Sequence, residues 1–210
     1  GGTFTVASIA DEARGIRCTM TEKENSGKID INGGVVDIQL IGQGARGLKA
    51  DDDIKIDGGN VLIVMSGKSL YKDSDDKTYT CGIKTDKSFI VESGEVVVIC
   101  QSSAFSSRCV NSDSSSFFNG GQTTLCQNST KKIDEEAKKP MGIKSEEVIV
   151  KTSANLFIYA DIDKDAKLYD ISSNGKLEVA GHTFNKYTED IRDYIMAYPT
   201  NWNAYSKYDQ

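Results

Sequence analysis

Short runs of alternating apolar and polar residues fill most of the chain. Lys28-Ile29-Asp30-Ile31, Asp53-Ile54-Lys55-Ile56, Ser88-Phe89-Ile90-Val91 and Val148-Ile149-Val150 are four of them. Alternation such as Ile54/Ile56 or Val61/Ile63 sends one set of side chains to an interior and the other outward, so each run predicts a short β-strand. One phrase returns along the chain: Ala13-Arg14-Gly15-Ile16-Arg17-Cys18-Thr19, Ala45-Arg46-Gly47-Leu48-Lys49-Ala50-Asp51, Thr80-Cys81-Gly82-Ile83-Lys84-Thr85-Asp86, Ser107-Arg108-Cys109-Val110-Asn111-Ser112-Asp113 and Pro140-Met141-Gly142-Ile143-Lys144-Ser145-Glu146. Its third residue falls at 15, 47, 82, 109 and 142, at intervals of 32, 35, 27 and 33.

A second phrase alternates with the first. A small pair, mostly glycine, opens a β-rich run: Gly1-Gly2, Gly33-Gly34, Gly58-Gly59, Ser93-Gly94 and Gly120-Gly121. Each unit therefore holds about three short strands, and none can bury its apolar face alone. Stacking the units gives a continuous interior. An antiparallel sandwich has similar strands but gives no reason for one phrase to recur in register. The unequal intervals read as insertions at corners, at Asn25-Ser26 and over Lys68 to Thr78. The fold expected is all-β, a right-handed parallel β-helix (a solenoid) over residues 1–180. Leu156-Phe157-Ile158-Tyr159 and Lys176-Leu177-Glu178-Val179 continue the stack as its pattern weakens. Residues 181–210 form a capping segment of the same domain. In it Thr188 is a helix N-cap, Ile191, Tyr194, Ile195 and Tyr198 form an apolar stripe, and Pro199 ends the helix. The aromatic tail with Trp202 completes the cover that open strand edges need.

Composition narrows the function. The chain has 210 residues and a formal net charge of −6, which argues against a general nucleic-acid binder. No stretch approaches the roughly 18 apolar residues of a membrane span. The chain opens on Gly1-Gly2-Thr3-Phe4-Thr5-Val6, already strand-like, as a processed or trimmed chain would. The five cysteines, Cys18, Cys81, Cys100, Cys109 and Cys126, have no CxxC spacing, which disfavours zinc, and an odd count leaves at least one thiol unpaired within the chain.

The repeat aligns surface charge. Two places after the central glycine stand Arg17, Lys49, Lys84, Asn111 and Lys144, and four places after it stand Thr19, Asp51, Asp86, Asp113 and Glu146. A row of cations thus runs beside a row of carboxylates, with successive turns roughly 4.8 Å apart. Either the rows neutralise each other, or they bind something. Carboxylates Asp51, Asp52, Asp86, Asp113 and Glu146 would suit calcium. The cations, with Arg46, would suit an acidic polysaccharide. Tyr71 and Tyr79, in the longest insertion beside Asp73, Asp75 and Asp76, are the tyrosines best placed to stack on sugar rings. Asp161, Asp163 and Asp165 have the spacing that opens a calcium loop, but Ala166 and Ser172 stand where an EF-hand needs glycine and glutamate. No nucleophile or metalloprotease phrase is present. The single histidine, His182, reads as a turn or packing residue. A polysaccharide lyase would take Arg46 or Lys49 as its base by type alone.

The stretch Ala45-Arg46-Gly47-Leu48-Lys49-Ala50-Asp51-Asp52-Asp53-Ile54-Lys55-Ile56-Asp57-Gly58-Gly59 resembles the repeat of a bacterial carbohydrate-binding β-helix family, G-I-K-A/S-D-G-D-L-x-I-x-G-G. Weaker echoes run over Gly82 to Gly94 and Gly142 to Val150, so the resemblance covers residues 1–160. Asp52 departs from its glycine, and Cys109 from the central one. The resemblance implies a pectate-lyase-like fold, binding of plant cell-wall polysaccharide and calcium without established lyase activity, and a secreted or cell-surface location. A surface adhesin or structural spacer is the alternative role. Oligomeric state is not legible in the sequence.

Overall fold

A computed structural model describes residues 1–20, 27–71, 77–129, 139–160, 166–171 and 175–184. All regular structure among them is β, and nearly every strand pairing is parallel. The strands stand in three columns that the chain visits in a fixed order. The first holds β2 (Arg14–Cys18), β5 (Arg46–Ala50), β9 (Cys81–Thr85), β11 (Arg108–Ser112), β14 (Met141–Ser145) and β17 (Lys167–Ile171). The second holds β3 (Ile29–Ile31), the start of β6 (Ile54–Met65), the start of β10 (Phe89–Cys100), β12 (Ser115–Phe118), β15 (Glu147–Val150) and β18 (Leu177–Val179). The third holds β1 (Thr3–Ser8), β4 (Val35–Leu40), the ends of β6 and β10, β13 (Gly121–Gln127) and β16 (Ala154–Ala160). This parallel order excludes the antiparallel sandwich.

Register explains the recurring phrase. Ile16, Leu48, Ile83, Val110 and Ile143 are paired in succession, and Tyr169 follows them. Ile38, Ile63, Val98, Leu125 and Ile158 form a facing file in the third column. The central glycine lies where the two files meet. A Cβ at Gly47 would stand 2.5 Å from the Gly82 carbonyl oxygen and 2.6 Å from Ile63 Cγ2. Cys109 is the exception and is fully buried, its Sγ 3.8 Å from Cys100 Sγ. All five cysteines are free thiols.

The glycine pairs mark the corner between the second and third columns. Gly59 has φ +80° and Gly94 φ +88°, left-handed backbone that L side chains rarely adopt. They also stack: a Cβ on Gly59 would lie 2.6 Å from the Gly34 oxygen, and one on Gly94 2.5 Å from the Gly59 oxygen.

Several elements differ from the sequence reading. The stack continues after Val150 through β16 and β18, as expected from Leu156 to Tyr159 and Lys176 to Val179, and β17 adds an unforeseen strand. The expected cap begins as a strand, β19 (His182–Phe184), antiparallel to β18, and His182 is exposed on it. The proposed helix from Thr188 to Pro199, Trp202, the Asn25-Ser26 insertion and the acidic residues Asp73, Asp75, Asp76, Asp161, Asp163 and Asp165 lie outside the described residues. A second apolar cluster of Val64, Val97, Ile99 and Cys126 lies apart from the main core, because the Val96 to Cys100 run is apolar on both faces. At the first layer β1 and β2 are the outermost strands of their sheets, and Phe4, Ile9 and Met20 are exposed there. Among the described residues no helix is long and apolar enough to cross a membrane.

Candidate functional site

The cation and carboxylate rows form an ion-pair ladder. Lys49 Nζ donates to the Ala50 carbonyl at 2.9 Å and meets Asp51 Oδ1 at 3.2 Å and Asp86 Oδ2 at 2.6 Å. Lys84 repeats this one layer on, with the Thr85 carbonyl at 2.9 Å, Asp86 Oδ1 at 3.1 Å and Asp113 Oδ2 at 2.5 Å. Each ammonium has three donors and three acceptors. The outward row is therefore not an exposed one: Lys49 is 7% and Lys84 8% exposed, their stems covered by neighbouring layers. For these two lysines the structure shows the rows pairing with each other, one of the two arrangements the sequence left open. Arg17, in register with Lys49, is exposed, and Lys144, in register with Asn111, is half-buried. Neither makes an ion pair among the described residues.

The ladder gives stability a pH dependence. Burial pushes the Asp86 carboxyl up, and the hydrogen bonds and charges of Lys49 and Lys84 outweigh this, holding it below the usual carboxylate range. A carboxyl lowered by folding stabilises the protein above its unfolded value of about 3.9, and that contribution disappears as pH falls through the folded value. Asp86→Asn should cost about 1–2 kcal/mol at pH 7, between an exposed and a buried pair. It should also flatten the loss of stability below about pH 4. Urea midpoints measured from pH 7 to pH 2 check both.

Of the remaining carboxylates, Asp52 is buried, pairs with Lys87 at 3.2 Å and accepts the Asp53 N–H at 2.9 Å, so it belongs to a turn and not to the ladder. Glu146 stands at the ladder's far end. Among the described residues no three His, Cys, Asp or Glu side chains converge as metal ligands.

A different cluster lies where the first column begins. Arg14, Arg46, Cys81 and Arg108 are paired in succession there. Arg108 is 6% exposed and lies over the Tyr79 ring, 3.7 Å from its centroid. Tyr79 meets Tyr71 edge to face at 6.1 Å. The Nε atoms of Arg46 and Arg108 are buried and have no hydrogen-bond partner. Arg14 donates to the Ala13 carbonyl at 3.0 Å and the Gly44 carbonyl at 3.2 Å. Burial, and then the charge of Arg46, lowers its pKa. Burial pushes the Tyr79 phenol up, with Arg108 opposing. No described carboxylate forms a salt bridge with any of the three arginines.

The insertion that carries the tyrosines contains the hairpin β7 (Leu70–Tyr71) with β8 (Lys77–Thr78), antiparallel, within the expected Lys68–Thr78 segment. Its base is anchored: Gly44 N donates to the Lys68 carbonyl at 3.0 Å, Ser69 Oγ donates to the Ser106 carbonyl at 3.0 Å, and Thr80 N donates to Ser69 Oγ at 3.0 Å. Of the expected binding residues, the structure thus gathers Arg46, Tyr71 and Tyr79, while Arg17, Lys49, Lys84 and Lys144 stand on the ladder row. Sequence reasoning did not single out Arg14 and Arg108. Their signal was present, since they occupy the place before the central residue, as Arg46 does.

These features define a stacked parallel-strand protein that presents arginine and tyrosine side chains from rigid positions. A family model described as carbohydrate-binding domain-containing protein matches residues 1–134, and the chain belongs to that family. The matched span includes the arginine–tyrosine cluster and most of the ladder. No curated protein and no solved structure matches the chain.

Proposed function

We propose that the chain binds a polysaccharide bearing carboxylate groups along the Arg14, Arg46 and Arg108 side, with Tyr71 and Tyr79 offering ring surface to the sugars. In this reading the three columns wind as a right-handed parallel β-helix, and the protein acts outside the cell or at its surface. The observation that carries it is the file of three guanidinium groups, on Arg14, Arg46 and Arg108, none of them in a salt bridge with a described carboxylate. A ligand carboxylate is the natural partner for a guanidinium left without one. The stacking of Arg108 on Tyr79 holds its guanidinium plane in place. The family membership supports a glycan as the bearer of that carboxylate. The binding is non-catalytic in this reading. The saturated Lys49–Asp86–Lys84–Asp113 ladder favours, as a second reading, a surface module whose charged rows only solvate the stack.

Affinity electrophoresis in polygalacturonate and in a neutral glucan tests this. Arg46→Ala and Arg108→Ala should each weaken retention in polygalacturonate by about tenfold, as expected for loss of one charge-assisted hydrogen bond of roughly 1.5–3 kcal/mol. Unchanged retention in both variants would remove the arginine site. Chelation with EGTA should leave retention unchanged, because no step at this cluster uses an ion.

A further inference from the structure

One layer breaks the rule of the central glycine. Elsewhere that glycine faces a β-branched residue of the third column: Gly15 faces Ile38, Gly47 Ile63, Gly82 Val98 and Gly142 Ile158, and an added Cβ would meet the branch methyl at 2.2 to 2.7 Å. The fourth layer has Cys109 in that place. There the third-column residue in register with Val98 and Ile158 is Leu125, which branches one carbon further out. The Cys109 side chain enters the interior, and its Sγ lies 3.8 Å from Cys100 Sγ. Both residues are fully buried in the main core. Met65 and Gln127 flank Cys100 in its own file, so this thiol too is peculiar to its layer. The repeat gives up its glycine beside a second cysteine.

We propose that Cys100 and Cys109 form a disulfide that ties the end of β10 to β11 across the loop between them. The sulfurs stand beyond the roughly 2.05 Å of a disulfide, and rotation about the two Cα–Cβ bonds supplies the approach. The other thiols are placed elsewhere. Cys126 belongs to the second apolar cluster, Cys81 stands in the arginine file, and Cys18 is in the first layer. The step needs an oxidant, a small-molecule disulfide such as oxidised glutathione. One cysteine thiolate attacks it and releases a glutathione thiolate. The other thiolate attacks the protein sulfur of the mixed disulfide and releases the second glutathione. Two protein thiols are oxidised, one external disulfide is reduced, and the two cysteine protons pass to the released thiolates. Burial pushes the Cys109 thiol well up, and the folded stack gives an oxidant no access, so the exchange belongs to folding, before the layers close. The closed loop holds the base of the tyrosine hairpin, since the Phe105 carbonyl accepts the Ser69 N–H at 2.9 Å, and it leads directly into Arg108. The bond thus braces the arginine–tyrosine cluster, and its formation does not depend on what that cluster binds.

Refolding from guanidinium chloride in a mixture of reduced and oxidised glutathione tests this, with free thiols counted by Ellman titration in denaturant. Two of the five thiols should disappear, and all five should remain after refolding in dithiothreitol. Chymotryptic cuts after Phe105 and Phe118 put Cys100, Cys109 and Cys126 on separate peptides, and mass spectrometry should find the first two joined. Cys109→Gly gives the layer the repeat's own residue and should keep every remaining thiol in both buffers. Tm of the oxidised wild type should lie about 5 °C or more above that of the reduced form, as closing a loop of about ten residues implies for a chain of this size. Cys109→Gly should show no such difference. Five thiols in the oxidised wild type, a bond from either residue to another cysteine, or loss of two thiols in Cys109→Gly overturns the proposal. A bond that forms but lowers Tm overturns its place in the native stack.

Discussion

Phe89→Ala is expected to destabilise the protein by about 3–5 kcal/mol, the usual cost of removing a buried aromatic ring. Phe89 is fully buried and packs edge to face on Phe118 of the adjoining layer, with ring centroids 5.9 Å apart. Its file in the second column runs Ile54, Phe89, Ser116, so the aromatic ring fills space beside a residue too small to fill it. The hole left by alanine would face that serine, and layers tied above and below by strand hydrogen bonds collapse poorly. For a chain of this size the loss lowers Tm by roughly 2–4 °C per kcal/mol, about 10 °C in all. Thermal unfolding followed by circular dichroism checks it. A drop below about 2 °C would mean that this file is not a packed interior.

The second large effect is expected at the glycine corner. Gly59→Val meets two penalties together. The backbone there has φ +80°, which a β-branched residue tolerates badly, and the new Cβ falls 2.6 Å from the Gly34 oxygen and 2.7 Å from the Gly33 carbonyl carbon. These are backbone atoms of the neighbouring layer and cannot swing aside as a side chain would. Relief requires the two layers to separate, which stretches the β4–β6 pairing from Val35↔Asn60 onward. A loss of about 3 kcal/mol or more follows from strain and overpacking together. Gly2→Val is the control, because nothing lies within 4 Å of its Cβ position. Urea unfolding of the two variants should separate them clearly, and equal midpoints would refute the stacked corner.

The interior was legible in the sequence because stacking imposes the same demand on each layer. Where Ile38, Ile63, Val98 and Ile158 come up against the first column, only a residue without a side chain fits, so the central glycine and its aliphatic neighbour recur. The signal failed where substitutions broke the phrase. Leu168 and Tyr169 stand in the sixth layer where Gly142 and Ile143 stand in the fifth, and β17 therefore went unseen. The charged rows were legible, and so was their mutual pairing as one of two readings, but not their burial. Period alone tells that Lys49 and Lys84 point away from the core, yet not that adjoining layers come close enough to bury them. The arginine cluster was only partly legible, because Arg46, Tyr71 and Tyr79 lie far apart in sequence and are joined by how the hairpin folds back. That fold is anchored through Gly44, Ser69 and Thr80, residues with no chemical signature of their own.

Parallel in-register pairing has a consequence for anything that lies along the outside of the molecule. Side chains on one file cannot drift relative to one another, since backbone hydrogen bonds set their separation at close to 4.8 Å per step. Arg14 and Arg46 are one graduation apart, and Arg46 and Arg108 two, with Cys81 marking the blank between them. In the proposed polysaccharide reading, the file would serve as a ruler. A polymer whose charges recur at a commensurate pitch meets all three marks at once without bending, whereas one of mismatched pitch falls out of step after the first contact.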